Sequence, residues 1–351
     1  MKSVFKRIGL ILIITIFAVA CSNGEQTGNN ANKEASNDSQ GDSGKSSEAE
    51  FTLVAGHGTA IDTTFDKALL KFKELVEEKT EGRVEVTVHP AAELGAEPDM
   101  FQSLVQGTQD VMITAPGSLG DFVPELSLFD LAFLIEDAEH QQKVVNGEVG
   151  EALAQIMEEK TGVVTMGYGG GAARNMYFTE PASSLEDIQG RVFRALPTAH
   201  PFFEALGMKP TYVAHPEIYT ALQQGVIDGG ENEPFFTISE GFAEAAPNLL
   251  LTAHDVTVRP ILISPHTLET LPDDLETIVM EAGAEAAQYE HELELEEEQK
   301  AIEQMKADGV NVVEVEDKTP YIERVQPVWE EWAKENGVED LLQKIIELKE
   351  N

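Results

Sequence analysis

The chain has a single cysteine, Cys21, so no disulfide can form within it. Aromatic residues make up 7% and no basic patch is present, leaving nothing to stack on bases or track phosphates, which excludes nucleic-acid binding. No Gly-x-Ser-x-Gly elbow, His-Glu-x-x-His pair or EF-hand loop occurs. The run Gly169-Gly170-Gly171 lacks the Gly-Lys-Ser/Thr ending of a phosphate loop, and no dinucleotide fingerprint fits. No metal site and no cofactor is expected. Arginine is scarce, with seven residues against 63 acidic ones.

Long apolar runs are also missing. The longest, Ile8 to Val19, is too short to span a membrane comfortably and follows the basic residues Lys2, Lys6 and Arg7, so residues 1–20 read as a signal peptide. Two cleavage readings compete at its end. Ala18-Val19-Ala20 fits ordinary signal peptidase, whereas small residues before Cys21 fit a bacterial lipoprotein. A lone secreted thiol needs an explanation, and a diacylglycerol attached to Cys21 supplies one. Residues 21–49 are then the lipidated cysteine and a flexible linker, too rich in Ser, Asn, Gly and acids to bury a core. Anchor plus tether suggests an extracytoplasmic protein on the outer face of the cell membrane, in a Gram-positive cell. The formal charge of −39 becomes more negative once the leader is removed, which repels nucleic acid and anionic lipid.

The remaining 300 or so residues suffice for two lobes. Phe51 to Ala55 reads as a strand. Phe65, Leu69, Phe72 and Val76 give a helix one apolar face, and Val84, Val86 and Val88 alternate as a strand does. Strands alternating with helices argue for α/β lobes. The chain also echoes itself: the helix Phe101 to Gln106, then Gly107 and Asp110, resembles Ile218 to Gln224, then Gly225 and Asp228. Val163 to Tyr168 and Leu249 to Thr252 are candidate crossings between lobes. Pro272 opens a helix that runs to about Lys306, with Leu275, Ile278, Val279, Ala282, Ala286, Tyr289 and Leu293 as its stripe. Its length of roughly 50 Å exceeds one lobe, so it should bridge both. Trp329 and Trp332 belong to a last amphipathic segment packing back on the body. The expected lobes are 50–171 with about 258–297, and 172–257 with about 298–351.

Arg194 lies in Gly190-Arg191-Val192-Phe193-Arg194-Ala195-Leu196-Pro197, a run that otherwise reads as a buried strand. A buried guanidinium needs an anion and fits a carboxylate bidentately. A ligand could supply that carboxylate, or one of the chain's own acids. Together with Pro216-Glu217-Ile218-Tyr219-Thr220-Ala221-Leu222-Gln223-Gln224-Gly225-Val226-Ile227-Asp228-Gly229-Gly230-Glu231-Asn232, this segment resembles the solute-binding proteins of TRAP transporters, of the dicarboxylate-binding (DctP-like) type. The resemblance covers about residues 51–340.

The resemblance implies a two-lobed, periplasmic-binding-protein-like α/β fold with a long helix bridging both lobes. It implies that Arg194 clamps the carboxylate of an organic acid. Arg174, in a Gly-x-Arg-Asn-like segment, becomes a second ligand contact or a hinge ion pair. Asn232 stands where the family reads Asp-Gly-x-Glu-Asn-Pro and faces the cleft, although Glu233 here replaces the Pro. His215 replaces a frequent Phe, which suggests a ligand with an extra polar group, or else a ring packed beside Pro216. His57 would line the cleft from the other lobe, with Glu93 and Ser118 as weaker candidates.

The expected function is capture of a C4-dicarboxylate or related acid and its delivery to a membrane permease, without catalysis. The expected partners are the small acid and the permease subunits, with membrane contact only through the lipid. Two alternatives stay open: the ligand-binding subunit of an extracytoplasmic sensor, and a surface-anchored enzyme using cleft carboxylates.

Overall fold

The computed structural model describes residues 49–349. The signal peptide, Cys21 and all of the linker before residue 49 lie outside the described residues. One mixed sheet organises the chain. Its strands are β1 (Phe51–Gly56), β2 (Val84–His89), β3 (Val111–Ile113), β4 (Val164–Phe178), β5 (Val192–Arg194), β6 (Lys209–Thr211), β7 (Gly229–Asn232), β8 (Asn248–Ile263) and β9 (Asn311–Glu314). The spatial order is β2-β1-β3-β8-β4-β7-β5-β6, with β9 beside β8.

The order is a mirror of two parallel triads, β2-β1-β3 and β6-β5-β7, joined by the antiparallel pair β8-β4. The sequence echo has a physical counterpart here. Asp110 N–H donates to the Val54 carbonyl, and Val54 N–H donates back to Asp110 Oδ2 at 2.7 Å. Asp228 and Val192 form the same closed pair, with Val192 N–H to Asp228 Oδ2 at 2.7 Å. Each aspartate therefore ties a helix–glycine turn to the central strand of its own triad.

Helices cover the sheet on both faces, as parallel strands require. The helix Thr64–Lys79 begins at Thr63, whose hydroxyl accepts from Asp66 N–H, and buries Phe65, Leu69, Phe72 and Val76. At about 1.5–3 kcal/mol for each large apolar side chain, that face is ample to hold the helix on β1. One core cluster joins these residues to Val111, Ile113, Ile261 and Ala282. A second gathers Tyr177, Ile218, Leu222, Phe242, Leu249 and Met305. A third lies on the opposite sheet face and spans both triads, from Met112 and Leu262 to Phe178 and Phe193.

The two crossing strands are longer than the sequence suggested, because each runs through both lobes. The long helix (Asp273–Ala307, 35 residues) packs on the Thr64–Lys79 helix, on β4 and on the helix Pro234–Ser239, and so bridges both lobes. Its buried face differs from the expected stripe. Leu275, Val279, Ala282 and Ala286 are buried, but the face then continues through Glu290, His291 and Glu294, while Tyr289 is 36% exposed. Periodicity of apolar residues cannot find a face whose second half is charged. Trp329, in the helix Thr319–Asn336, is buried and donates from its indole to the Ala132 carbonyl at 2.8 Å. No helix among the described residues is long and apolar enough to cross a membrane.

The register shows where the triads point. β3 pairs Val111 with Ile263 and Ile113 with Ile261 of β8. β7 pairs Gly229 with Phe178 and Asn232 with Asn175 of β4. Both triads thus aim their carboxyl ends at the middle of the β4–β8 pair, from opposite sides. Ligands of open α/β sheets bind outside strand carboxyl ends, so this junction is where a site belongs.

Candidate functional site

The glycine run lies at that junction. Between Gly170 and Ala173 the pairing of β4 with β8 shifts register, which frees backbone N–H groups from the ladder. The long helix supplies their acceptors, with Glu290, Glu294 and Glu298 recurring every fourth residue along one face. Gly170 N–H donates to Glu290 Oε2 at 2.5 Å, Ala172 N–H to Glu294 Oε2 at 3.2 Å, and Ala173 N–H to Glu298 Oε1 at 3.0 Å. Gly171 N–H uses Thr257 Oγ1 at 3.1 Å, and that hydroxyl donates to Glu294 Oε2 at 2.6 Å. A Cβ on Gly169 would stand 2.3 Å from Glu290 Oε2, and Gly170 has a φ of +87°. Glycine is what lets strand and helix approach so closely. Burial and the adjacent Glu294 raise the Glu290 carboxyl well above its ordinary range, favouring its protonated form.

A cavity of about 410 Å³ opens beside this contact, within the usual size range of small-molecule sites, roughly 300–1,000 Å³. Both lobes contribute to it: Gly117 and Ser118 follow β3, and Leu196 and Pro197 follow β5. Its polar wall is Arg174, Arg259, Glu231, His254, Asp130 and Asp255; Phe202, Phe203 and Trp332 form much of its apolar wall.

The two arginines are cross-linked by carboxylates. Arg174 donates from Nε to Glu231 Oε2 at 2.5 Å and from Nη1 to Glu233 Oε2 at 2.7 Å. Arg259 donates to the other oxygen of Glu233, and from Nε to Glu294 Oε1 at 3.3 Å. Glu233 is fully buried and bridges both guanidiniums. Burial alone would raise Glu231, yet Arg174 and His254 hold it well below the usual carboxylate range. Asp130 loses solvent in the cavity wall and is pushed up to about 7, despite the pull of Arg259 and Arg174. Asp255 is raised by burial and by Asp130. His254 is lowered by burial, against the pull of Glu231.

The residues singled out from the sequence fall into three groups. Arg174 and Ser118 line the cavity. Arg174 is ion-paired to Glu231 and Glu233. Ser118 donates to Glu97.

Arg194, Asn232 and His215 form the second group. Phe193 packs on Phe178 in the core spanning both triads, so alternation turns Arg194 to the opposite sheet face, with Val192 and Tyr177. Arg194 is 8% exposed, donates from Nε to the Val213 carbonyl at 3.2 Å, and pairs with no carboxylate among the described residues. Arg259, the other buried arginine, has two carboxylate partners. Asn232 accepts from Glu233 N–H at 3.1 Å through Oδ1. His215 lies edge-on to Phe242, with Nε2 3.4 Å from Glu240, and is more than half exposed.

The third group stands apart from the cavity. His57 is fully buried, 3.2 Å from Asp66 and 3.0 Å from Thr59, and desolvation lowers its pKa. Glu93 is exposed beside His89.

Sequence reasoning missed Arg259, Glu233, Asp130, Asp255 and His254. A signal for Arg259 was available: like Arg194, it interrupts an apolar strand, Val256-Thr257-Val258-Arg259-Pro260-Ile261. The acids had none, being a handful among 63.

Glu233→Ala would remove the carboxylate that Arg174 and Arg259 share, leaving them Glu231 and Glu294, and is expected to cost about 3–5 kcal/mol, read by urea unfolding; a loss below about 1 kcal/mol would show the bridge to be idle. Asp130 gives a pH test. Its folded value of about 7 lies above an unfolded value near 3.8. Between the two, the folded chain binds a proton that the unfolded chain does not, so this residue's contribution to stability falls as pH rises. Asp130→Asn should therefore gain stability over the parent at about pH 8 relative to about pH 4. Equal differences at both pH values would contradict the shift.

Residues 55–336 match the family model described as bacterial extracellular solute-binding protein, family 7 (DctP). A solute-binding protein of Sulfitobacter sp. (strain NAS-14.1) is 37% identical over 302 residues, which is 85% of this chain and 92% of the relative. The C4-dicarboxylate-binding periplasmic protein DctP of Rhodobacter capsulatus is 28% identical over 297 residues, 83% and 89% of the two chains. Among solved structures, a TRAP periplasmic solute-binding protein of Sulfitobacter sp. NAS-14.1 with bound α-D-taluronate aligns with a TM-score of 0.76 at 37% identity, covering 84% of this chain and 97% of that one. These are two-lobed binding proteins of transporters, not enzymes, and they work outside the cytoplasm. With its mirrored triads, bridging helix and interlobe cavity, the chain belongs to this family of extracellular solute-binding proteins of TRAP transporters.

Proposed function

We propose that this chain captures a sugar acid, a monocarboxylate bearing several hydroxyls, and passes it to a TRAP permease. The observation that carries the reading is Arg194, a buried arginine at the carboxyl end of β5 with no carboxylate partner among the described residues. Leaving a guanidinium so placed is costly unless an anion arrives. The ligand carboxylate is that anion, held bidentately. Asn232 contributes its amide.

The cavity wall argues for hydroxyls on the rest of the ligand. Three carboxyl groups, Asp130, Asp255 and Glu231, stand there against Arg174 and Arg259, which are already held by Glu231, by the buried Glu233 behind the wall and by Glu294. A second ligand carboxylate would find no free cation in this wall, because Arg174 and Arg259 are already taken by Glu231, Glu233 and Glu294. A hydroxyl can donate to Asp130 and Asp255. This favours a sugar acid over the C4-dicarboxylates that the resemblance put first, and agrees with the taluronate bound by the Sulfitobacter protein. The ligand touches both lobes only when they close, and closure follows from that difference in contacts.

Cys21 carries the lipid and holds the chain at the outer face of the membrane. The relatives come from Gram-negative bacteria, so the Gram-positive surface expected from the leader finds no support, and the anchor stands apart from the envelope type. Intact mass of the membrane-extracted chain should show a diacylglycerol on an N-terminal Cys21, and Cys21→Ser should release the protein. An unmodified, freely secreted chain beginning at Cys21 would refute the anchor.

A thermal-shift series on the purified mature chain tests the ligand. Uronates and aldonates should raise Tm by a few degrees at about 100 times Kd, and succinate and malate should not. Arg194→Ala should fold normally and lose about 2–5 kcal/mol of binding, and Arg194→Lys should also weaken it because an ammonium lacks the fork. Unchanged binding by Arg194→Ala would refute the clamp, and stabilisation by C4-dicarboxylates alone would refute the ligand class.

A further inference from the structure

We propose that the Tyr177 hydroxyl is a second donor to the carboxylate held by Arg194, so that phenol and guanidinium form one anion seat over Gly230. The inference rests on the clamp reading above and adds to it a residue that neither the sequence motifs nor the cavity lining pointed to.

The strand register places the three residues in one row. Tyr177 of β4 lies opposite Gly230 of β7. Gly229 lies opposite Phe193 in the parallel pair β7–β5, so Gly230 is level with Arg194. All three are on the sheet face away from Phe178 and Phe193. The middle residue has no side chain, and the phenol occupies the vacant place: a Cβ on Gly230 would stand 2.5 Å from the Tyr177 hydroxyl oxygen. The ring therefore lies across β7, with its oxygen directed from β4 toward β5 and Arg194. Phe242 packs against the ring, with centroids 5.6 Å apart and planes at 34°.

The hydroxyl itself is the anomaly. Tyr177 is 1% exposed, and its oxygen is buried with no hydrogen-bond partner among the described residues. A buried hydroxyl without a partner is unfavourable, and native structures keep few of them. Phenylalanine would fill the same space against Phe242 without that penalty. Burial first, and then the charge of Glu231, raise the phenol's pKa, so it stays a protonated donor at any physiological pH. An unused donor and an arginine without a carboxylate, side by side, have a common solution in one incoming carboxylate: it can accept from the guanidinium and from the phenol at once. The seat is two residues from Asn232 along β7 and two from the cavity-lining Leu196 along the chain.

A phenylalanine substitution separates this role from a packing role, because the two predict opposite effects on the free protein. Calorimetric binding of D-glucuronate, D-galacturonate, D-erythronate and succinate to the mature chain would be compared with Tyr177→Phe and Arg194→Ala. Tyr177→Phe should keep or raise the ligand-free Tm, since it removes an unpaired buried hydroxyl, and should raise Kd at least tenfold for each acid that binds the parent. Kd within twofold of the parent in Tyr177→Phe, with binding lost in Arg194→Ala, overturns the phenol's role and leaves the clamp standing. A lowered ligand-free Tm accompanying the loss of binding makes Tyr177 a packing residue and also overturns it. Unchanged binding in Arg194→Ala, or no binding of any of these acids to the parent, removes the clamp and this inference together.

Discussion

Glu233 is the residue on which the junction depends. It sits fully buried where β7 ends, with one oxygen on Arg174 of β4 and the other on Arg259 of β8. Arg259 reaches on to Glu294 of the long helix, and Glu294 accepts from the β4 backbone. A single chain of charges thus connects a ligand-side strand, both crossing strands and the bridging helix. Buried charge is tolerated only when each member is paired in good geometry, so these four elements can hold few relative arrangements. Glutamate at this position supplies the carboxylate that both arginines bind.

The strand–helix contact at the glycine run follows from the same constraint. Where a ladder is interrupted, the backbone groups it releases need other partners. Here the register shift in β4 releases N–H groups, and three glutamates of the helix accept them. β4 is thereby bonded to the side chains of the helix where its own ladder is interrupted. The acids are affordable because Arg259 offsets Glu294, and a proton favoured on Glu290 removes one charge.

The strongly acidic composition looks unsuited to capturing anions, and the local geometry resolves this. The acids that face solvent are numerous and screened over about a Debye length. Near the junction toward which the triads point, the chain instead concentrates three of its seven arginines: Arg174 and Arg259 within the crossing strands, and Arg194 at the end of β5. Two are neutralised by the chain's own carboxylates, and Arg194 has none among the described residues. Overall charge therefore governs solubility and partner exclusion, whereas the proposed clamp turns on one locally unpaired side chain.

Local pattern was enough to read much of the fold. The Phe65–Val76 face, the alternating Val84 strand, the helix after Pro272 and the helix–glycine–aspartate echo are all short-range features, decided by spacing and by turn chemistry. Arg194 was legible too, because an arginine in an apolar strand is conspicuous by itself. The sequence alone thus determined these elements, the helix–glycine–aspartate echo and the presence of an arginine in a buried strand. Other facts depend on contacts between residues far apart in the chain: that Glu233 serves both Arg174 and Arg259, that the helix buries Glu290 and Glu294 where its apolar stripe was expected to continue, that His57 is enclosed by Asp66, and that Tyr177 reaches over Gly230. Tertiary structure decided these, because partnership between charges and the vacancy left by a missing Cβ exist only once strands are in register.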